Sequence, residues 1–208
     1  MIHALPGMGA NRHMYPAPWA QLPGFVAHDW VRHAGEQTLP EVARSMCAAC
    51  GIQDGDTLIG SSLGGMVACE ITKLRRIPAL YLCGSAVCPE EVSALLAAIH
   101  PLARIAPFDW LRFSAENMPT DFAQMFAGIE ASFMRAMCTA IFHWEGLGRS
   151  PTQVWRIHGR YDRVIPPPAK VDLLLEGGHL IAFSHAATCV AYIQAHLPSG
   201  PATEAPCT

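Results

Sequence analysis

The strongest constraint on the fold is an alternation of short apolar runs with segments whose apolar residues recur at helical spacing. Runs that are apolar at every position predict strands buried on both faces. The predicted strands are Ile2–Leu5, Phe25–His28, Thr57–Ile59, Ala79–Cys83, Val154–His158 and Val171–Leu175. The predicted helices are Leu39–Cys50, Leu63–Leu74 and Ser184–Leu197. This order indicates an α/β fold, a three-layer sandwich in which a mostly parallel sheet of about six strands carries helices on both faces.

One long stretch, from Val87 to about Ser150, interrupts the alternation and contains no convincing strand. Helical patterns recur within it at Glu90–His100, Thr120–Ala127 and Ser132–Phe142. Because it is too long for an ordinary connection, residues 87–150 are predicted to form a helical cap. The cap is inserted into a core made of residues 1–86 and 151–197. Residues 198–208 are rich in Pro, Ala and Thr and are expected to form a disordered tail.

Composition narrows the range of partners. The chain has 208 residues, of which 51% are hydrophobic and only 15% charged, enough for one domain with a substantial core. The net charge is -3, and the short basic run Lys73-Leu74-Arg75-Arg76 is typical of a helix end, so nucleic acid is not expected as a partner. No apolar run reaches the roughly 18–20 residues of a membrane span. The N-terminus lacks a signal-peptide pattern, and we expect a cytoplasmic protein.

Cysteine and histidine spacing does not indicate a metal site. The eight cysteines fall mostly within apolar helix or strand patterns, as expected of small buried residues in a reducing compartment. Cys47 and Cys50 form a Cys-x-x-Cys pair, but no second pair accompanies it. We therefore expect neither a metal ion nor another cofactor.

The segment Gly60-Ser61-Ser62-Leu63-Gly64 reads Gly-x-Ser-x-Gly and lies where a predicted strand runs into a predicted helix. A serine hydroxyl is a weak nucleophile, so an enzyme must expose it and place a base beside it. A sharp strand-to-helix turn exposes the serine in a strained conformation and leaves no room for side chains two residues to either side. Gly60 and Gly64 meet that need, which makes Ser62 the candidate nucleophile and Ser61 a weaker one. The alternative is a glycine-rich loop with an idle serine.

A base and an acid are available downstream. Asp162 lies just past the carboxyl end of the fifth predicted strand, where functional loops of an open parallel sheet gather. His179 follows the pair Gly177-Gly178, which allows the loop to bend back toward that edge. Because a nucleophilic serine needs a base and an orienting acid, Ser62, Asp162 and His179 form the predicted catalytic set. Asp29 is a second candidate for the acid.

These features resemble the α/β-hydrolase superfamily over residues 5 to about 185. Four segments carry the resemblance: Pro6-Gly7-Met8-Gly9 as the oxyanion loop, Gly60–Gly64 as the nucleophile elbow, His158-Gly159…Asp162…Pro166 as the acid turn, and Gly177-Gly178-His179 as the histidine loop. The order Ser, Asp, His along the chain is also the order that this fold uses.

The resemblance implies a role for each matching residue. Ser62 would attack a carbonyl carbon, His179 would take and return its proton, and Asp162 would orient His179. The backbone N–H groups of Met8 and Leu63 would form the oxyanion hole. The implied activity is that of a serine hydrolase acting through an acyl-enzyme on a carboxylic ester or thioester of a small, largely apolar molecule.

The chain departs from the family pattern in three places. It begins almost at the oxyanion loop, so its sheet is expected to lack the first two strands of the family. Pro6-Gly7 stands where His-Gly is common. Only 17 positions separate Asp162 from His179, and Pro166-Pro167-Pro168 predicts that the usual helix there is reduced to a turn. The exposed edge of such a shortened sheet is compatible with a homodimer, and the sequence leaves the oligomeric state open.

The predicted cap is rich in methionine and aromatic residues, some of which are expected to line an apolar pocket over the serine. The candidate pocket residues are His13, Tyr15, Phe108, Trp110 and Met134. Ordinary helix packing is the alternative for each of them. Two other functions remain open from the sequence: a lyase or C–C bond hydrolase that uses the same three residues, and a non-catalytic ligand-binding member of the fold.

Overall fold

The computed structural model describes residues 1–92, 124–126, 128 and 130–198. Six strands of these residues form one sheet: β1 (Ile2–Leu5), β2 (Phe25–Ala27), β3 (Thr57–Ser61), β4 (Ala79–Cys83), β5 (Gln153–Gly159) and β6 (Leu173–Leu175). The strand order is β2-β1-β3-β4-β5-β6, and every neighbouring pair is parallel. The sheet confirms the predicted α/β class, with strand ends that differ from the predicted ones by two residues or fewer.

The helices of the described residues are α1 (Leu39–Ala49), α2 (Leu63–Ile71), α3 (Ala131–Ala140), α4 (Ile181–Ser184) and α5 (Ala186–His196). Short 3-10 turns occupy Arg12–Met14, Ala17–Gln21, Pro89–Glu91 and Ile141–His143. The start of α1 is fixed by a capping box, in which the Thr38 hydroxyl accepts from the Glu41 N–H and the Glu41 carboxylate accepts from the Thr38 N–H.

Two apolar clusters cover the two faces of the sheet. Successive strand residues point to opposite faces, so Leu58 packs in the cluster that includes Met46 of α1, whereas Ile59 packs in the cluster that includes Ile193 of α5. Helices α1 and α2 therefore cover one face and α5 covers the other. The result is the helix–sheet–helix sandwich that the doubly apolar strands predict.

The topology brings the candidate site to one edge of the sheet. Because all six strands are parallel, their carboxyl ends meet along the same edge. The chain leaves β1 toward β2 on one side and later returns to place β3 on the other side, so the strand order switches direction between β1 and β3. Ligands of open α/β sheets bind at such a switch point. Pro6–Gly9 follows β1 there, and Ser62 follows β3.

The predicted cap is described only in part. The helical pattern over Ser132–Phe142 corresponds to α3 and the 3-10 turn after it. The patterns over Glu90–His100 and Thr120–Ala127 lie mostly outside the described residues, as does nearly all of the predicted tail, so the domain division remains a prediction. Between β5 and β6, residues 160–172 form turns and bends without a helix, as the proline run predicts. No described helix is long and apolar enough to cross a membrane.

Candidate active site

Ser62 occupies the turn between β3 and α2. Its backbone angles are φ 51° and ψ -121°, and it is the one non-glycine residue of the described chain with a positive φ. Such a conformation is costly for an L-residue and is maintained only where the surroundings dictate it. Here the Ser62 N–H donates to the carbonyl of Cys83 at 3.2 Å, which ties the turn to β4. The strained serine is the local feature that the Gly-x-Ser-x-Gly pattern predicts.

The two glycines of the pattern are required by close backbone contacts. A Cβ atom on Gly60 would lie 2.4 Å from the Cα of Gly65, and one on Gly64 would lie 2.3 Å from the carbonyl oxygen of Leu5. Real Cβ atoms do not approach backbone atoms so closely. The strand, the helix and the loop after β1 therefore meet at this turn only because both positions lack a side chain.

The candidate triad is connected by hydrogen bonds. The Nε2 atom of His179 lies 2.9 Å from Ser62 Oγ, and its Nδ1 atom lies 2.7 Å from Asp162 Oδ2. Since an ionised carboxylate only accepts, the proton of the neutral ring belongs on Nδ1 and leaves the lone pair of Nε2 facing the serine hydroxyl. The other carboxylate oxygen, Oδ1, accepts from the N–H groups of Val164 and Ile165 at 2.9 Å each.

Asp162 is ionised although its side chain is completely buried. Burial, the largest influence, raises the pKa of Asp162, but hydrogen bonds from His158, from His179 and from the Ile165 N–H together hold that pKa well below its ordinary value of 3.8. A carboxylate in this state can orient the imidazole of His179 and stabilise it when it carries a positive charge.

The loop after β1 runs beside the serine. A Cβ atom on Gly7 would lie 3.5 Å from the Ser62 Cβ, and the Ala10 N–H closes a turn by donating to the Gly7 carbonyl at 3.1 Å. Met8 lies within that turn. Leu63 is the first residue of α2, where helix geometry gives an N–H no intrahelical acceptor. The two amides assigned to the oxyanion hole thus belong to the loop that runs beside Ser62 and to the helix that follows it.

Ser61, the weaker candidate for the nucleophile, and Asp29, the second candidate for the acid, have different contacts from Ser62 and Asp162. Ser61 is buried in β3, and its Oγ has no hydrogen-bond partner among the described residues. Asp29, the second candidate for the acid, accepts at 2.9 Å from the Nε of Arg12. That ion pair holds the pKa of Asp29 below its ordinary value, mainly through the Arg12 hydrogen bond. The carboxylate in contact with His179 is that of Asp162.

Burial keeps two of the thiols protonated, and no metal ligands are grouped in the described part of the chain. Burial raises the pKa of Cys69 to about 12 and the pKa of Cys50 to about 11, so both thiols stay protonated at neutral pH. Within the same residues, no group of three or more His, Cys, Asp or Glu side chains is placed to hold a metal ion.

The predicted pocket residues lie in different places. Phe108 and Trp110 fall outside the described residues. Met134 of α3 lines a cavity of about 350 Å³ with Trp30, Phe133 and residues at the end of the oxyanion loop. The described lining of that cavity contains no member of the candidate triad.

His13 and Tyr15 line a separate surface cavity beside β2. Tyr15 is buried, and its hydroxyl donates to the carbonyl of Leu5 at 2.6 Å. This hydrogen bond stabilises the end of β1. A substrate-facing role for His13, Tyr15 or Met134 remains a prediction.

Two side chains that sequence reasoning did not single out contact the backbone of the site. The Trp30 indole Nε1 donates to the Gly7 carbonyl at 3.0 Å, and Ser85 Oγ donates to the Ser62 carbonyl at 2.7 Å. The only sequence signal for either residue is its position, three residues or fewer beyond the end of β2 or β4.

A parallel sheet of this order, with a strained serine after the third strand and a histidine between that serine and a buried carboxylate, defines the class of α/β hydrolases. The sequence model of the alpha/beta hydrolase family matches residues 2–192. The chain belongs to that family, and a hydrolase is its coarse functional class. No curated protein matches the chain in sequence.

Solved structures of the same fold include a thermophilic esterase from Thermogutta terrifontis, with a TM-score of 0.69 and 18% identity over 94% of this chain and 88% of that one. An esterase from Exiguobacterium antarcticum aligns with a TM-score of 0.74 and 16% identity over 95% and 91% of the two chains. The enol-lactonase from Burkholderia xenovorans LB400 gives a TM-score of 0.71 and 16% identity over 94% and 90%. At these identities, the likeness establishes the fold.

Proposed function

We propose that this protein is a serine hydrolase that cleaves a carboxylic ester or thioester of a small, largely apolar substrate through an acyl-enzyme. The observation that carries the proposal is the continuous set of hydrogen bonds from Ser62 through His179 to Asp162. A structural role alone does not call for a strained serine hydroxyl beside the free lone pair of an oriented imidazole. That arrangement is what general-base activation of a nucleophile requires.

Acylation begins at Ser62. As its Oγ attacks the carbonyl carbon of the substrate, Nε2 of His179 takes the hydroxyl proton, and the carbonyl electron pair moves onto oxygen. The Met8 and Leu63 N–H groups stabilise that oxyanion. The positive end of α2 adds to this stabilisation because Leu63 begins the helix. When the tetrahedral intermediate collapses, the bond to the alcohol or thiol breaks, and His179 returns the proton to the leaving group.

Deacylation repeats the sequence with water as the nucleophile. His179 takes a proton from the water as its oxygen attacks the acyl carbon of the ester on Ser62. The second tetrahedral intermediate expels Ser62 Oγ, which recovers its proton from His179. Asp162 remains ionised through both steps, since its role is to hold the ring tautomer and the charge on the imidazolium.

The ester class is supported by the named activities of structural neighbours, two esterases and an enol-lactonase. Their substrates are carbonyl compounds with an oxygen leaving group. Because an alkoxide is a strong base, its departure needs a well-placed general acid, which His179 supplies once it carries the serine proton. The apolar side chains of Phe133 and Met134, which line a cavity beside the end of the oxyanion loop, support a substrate with an apolar acyl or alcohol part.

The proposal is tested with a fluorophosphonate probe and with short p-nitrophenyl esters. Wild-type protein should be labelled covalently at Ser62 and should release p-nitrophenol from the acetate and butyrate esters. Ser62→Ala should lose both properties, whereas Ser61→Ala should keep them. Failure of the folded wild-type protein both to react with the probe and to turn over any of these esters would rule out the hydrolase assignment.

A further inference from the structure

The two donors assigned to the oxyanion hole share a geometric property. Each N–H belongs to a peptide unit whose carbonyl comes from the residue before it: Gly7 for the Met8 amide and Ser62 for the Leu63 amide. A trans peptide is planar, so its C=O and N–H bonds point in opposite directions. Any group that holds the carbonyl in place therefore also sets the direction of the amide.

The Gly7 carbonyl is held by two donors. The indole Nε1 of Trp30 donates to it at 3.0 Å and the Ala10 N–H donates at 3.1 Å. A carbonyl oxygen has two lone pairs, so both are used. The Gly7 N–H, which belongs to the preceding peptide, donates to the sulfur of Met14 at 3.3 Å and so helps to fix the loop around Gly7. The two donors on its carbonyl fix the Gly7–Met8 peptide plane, and the Met8 N–H of that plane is directed away from Trp30.

The Ser62 carbonyl is held in the same manner. Ser85 Oγ donates to it at 2.7 Å, and in the first turn of α2 the Gly65 N–H donates to it at 3.0 Å and the Met66 N–H at 3.3 Å. Ser85 is completely buried. The N–H of this peptide is that of Leu63, and it points in the opposite direction from the carbonyl that Ser85 holds.

We propose that Trp30 and Ser85 are positioning residues of the oxyanion hole, each acting through the carbonyl of a peptide whose N–H stabilises the transition state. The inference rests on the proposed hydrolase function. Hydrogen bonding at the carbonyl also polarises the peptide and makes its N–H a stronger donor. Neither residue touches the reacting atoms. Both therefore affect the reaction only by orienting and polarising the N–H groups of Met8 and Leu63.

Both residues are themselves held in place, Trp30 by its ring and Ser85 by its backbone carbonyl. The Trp30 ring packs against Phe133 of α3 with ring centroids 5.1 Å apart. Through Trp30, a helix of the predicted cap therefore supports the oxyanion loop. The backbone carbonyl of Ser85 accepts from Arg156 Nη2 at 3.1 Å, and Arg156 is in turn paired with Glu91 at 2.6 Å. Supporting groups that are fixed by packing can keep the catalytic donors aligned without reorganisation during the reaction.

The chain offers a matched control for each residue. Trp144 is also a buried tryptophan, and its indole donates to the Glu70 carboxylate at 2.7 Å. Thr72 is a buried hydroxyl residue that donates to the Cys69 carbonyl at 2.8 Å. Both bonds involve residues in the C-terminal half of α2 or just beyond it, and neither involves a peptide of the oxyanion hole. Trp144→Phe and Thr72→Val therefore remove comparable hydrogen bonds with no expected effect on the hole.

The experiment compares Trp30→Phe and Ser85→Ala with these two controls. It measures kcat and KM for p-nitrophenyl butyrate, the inhibition constant of a trifluoromethyl ketone, and the unfolding midpoint. Because misdirected donors weaken only the tetrahedral state, each test variant should lower kcat by about tenfold, with a much smaller change in KM. The inhibition constant of the ketone, whose adduct carries an oxyanion, should rise by the same factor. The controls should keep kcat and the inhibition constant within about twofold, whatever their effect on stability.

The outcomes separate this inference from the function on which it rests. If the wild type hydrolyses the ester but both test variants behave like their controls in kcat and in ketone binding, Trp30 and Ser85 do not position the hole. If the wild type neither hydrolyses the ester nor binds the ketone, the hydrolase proposal itself is wrong. Should Trp30→Phe fail to fold, Ser85→Ala decides the result, because it removes only one oxygen and leaves the Gly65 and Met66 N–H groups on the Ser62 carbonyl.

Discussion

The Nε2 atom of His158 lies 3.4 Å from Oδ2 of Asp162, four residues further along the chain. The same nitrogen lies 2.7 Å from the carbonyl oxygen of Ile165. Both neighbours are acceptors, so Nε2 of His158 carries a proton and donates to them. Since His179 binds the same Oδ2 at 2.7 Å, two imidazoles share one oxygen of the candidate acid. His158 therefore helps a completely buried carboxylate to remain ionised and correctly oriented.

Replacing His158 with Phe should destabilise the fold. The Ile165 carbonyl loses its donor in a buried environment, and Asp162 loses one of the hydrogen bonds that favour its charged form. We expect the free energy of unfolding to fall by about 2–3 kcal/mol, as for other buried acceptors left without a partner. Urea denaturation measures this change. His143, which is exposed, provides the comparison, since His143→Gln should change the stability by less than about 0.5 kcal/mol. Equal stability of the two variants would contradict the role given to His158.

Replacing Asp162 with Asn should abolish most of the activity without changing the shape of the site. An amide can donate to His179 and so favours the wrong tautomer, in which Nε2 carries the proton and no longer accepts one from Ser62. We expect kcat for p-nitrophenyl butyrate to fall by about 10³–10⁴-fold. Asp29→Asn removes the competing carboxylate and should leave kcat within the same order of magnitude. A larger loss in Asp29→Asn than in Asp162→Asn would reverse the assignment of the acid.

The lowered pKa of Asp162 also predicts how the free energy of unfolding depends on pH. A carboxylate whose pKa is lower in the folded than in the unfolded protein stabilises the fold above the unfolded value, and this contribution disappears as the pH falls through the folded value. The stability advantage of the wild type over Asp162→Asn should therefore be fully present at neutral pH. Below pH 3.8, the ordinary value for Asp, it should decrease by up to about 1.4 kcal/mol per pH unit.

Urea denaturation of both proteins between pH 7 and pH 3 tests this dependence. Asn is nearly identical in shape to Asp, so titrating groups that do not contact residue 162 contribute similarly to both curves. An advantage that stays constant down to pH 3, or one that grows, would show that Asp162 is not held in its ionised form by the fold.

The sequence predicted those parts of the molecule that depend on local pattern. The doubly apolar strands predicted the parallel sheet, and strand ends located Ser62, Asp162 and His179 because the carboxyl ends of parallel strands meet at one edge. The predicted second helix continued to Leu74, but α2 ends at Ile71, where the Thr72 hydroxyl turns back to the Cys69 carbonyl. That competition between a side chain and the helix backbone does not appear in an apolar pattern.

The supporting contacts could not be predicted, because they join positions with no sequence relationship. Trp30 and Gly7 are 23 residues apart, and so are Ser85 and Ser62. A tryptophan after a strand has many possible partners, and only the three-dimensional course of the loops selects the Gly7 carbonyl. The same holds for the cavity beside Met134, whose shape depends on how α3 lies against the loop after β2.

The elbow itself gives the sharpest test of the backbone geometry. The Cβ atom of an alanine at position 60 would lie 2.4 Å from the Gly65 Cα and 2.6 Å from the Gly64 carbonyl oxygen, so α2 would have to move away from β3. These are backbone atoms that cannot rotate aside. Gly60→Ala should therefore lower the free energy of unfolding by at least about 3 kcal/mol and remove labelling of Ser62 by a fluorophosphonate.

Gly178 is the matched control, because a Cβ atom there meets nothing within 4 Å and its φ is not in the left-handed region. Gly178→Ala should change the stability by less than about 1 kcal/mol. Thermal and urea unfolding of the two variants, measured beside the wild type, separate the general effect of adding a methyl group from the effect of crowding at the elbow. If Gly60→Ala were as stable as Gly178→Ala and still reacted with the probe, the close contact between β3 and α2 at Ser62 would have to be wrong. The strained position of the serine, which depends on that contact, would then lose its physical basis.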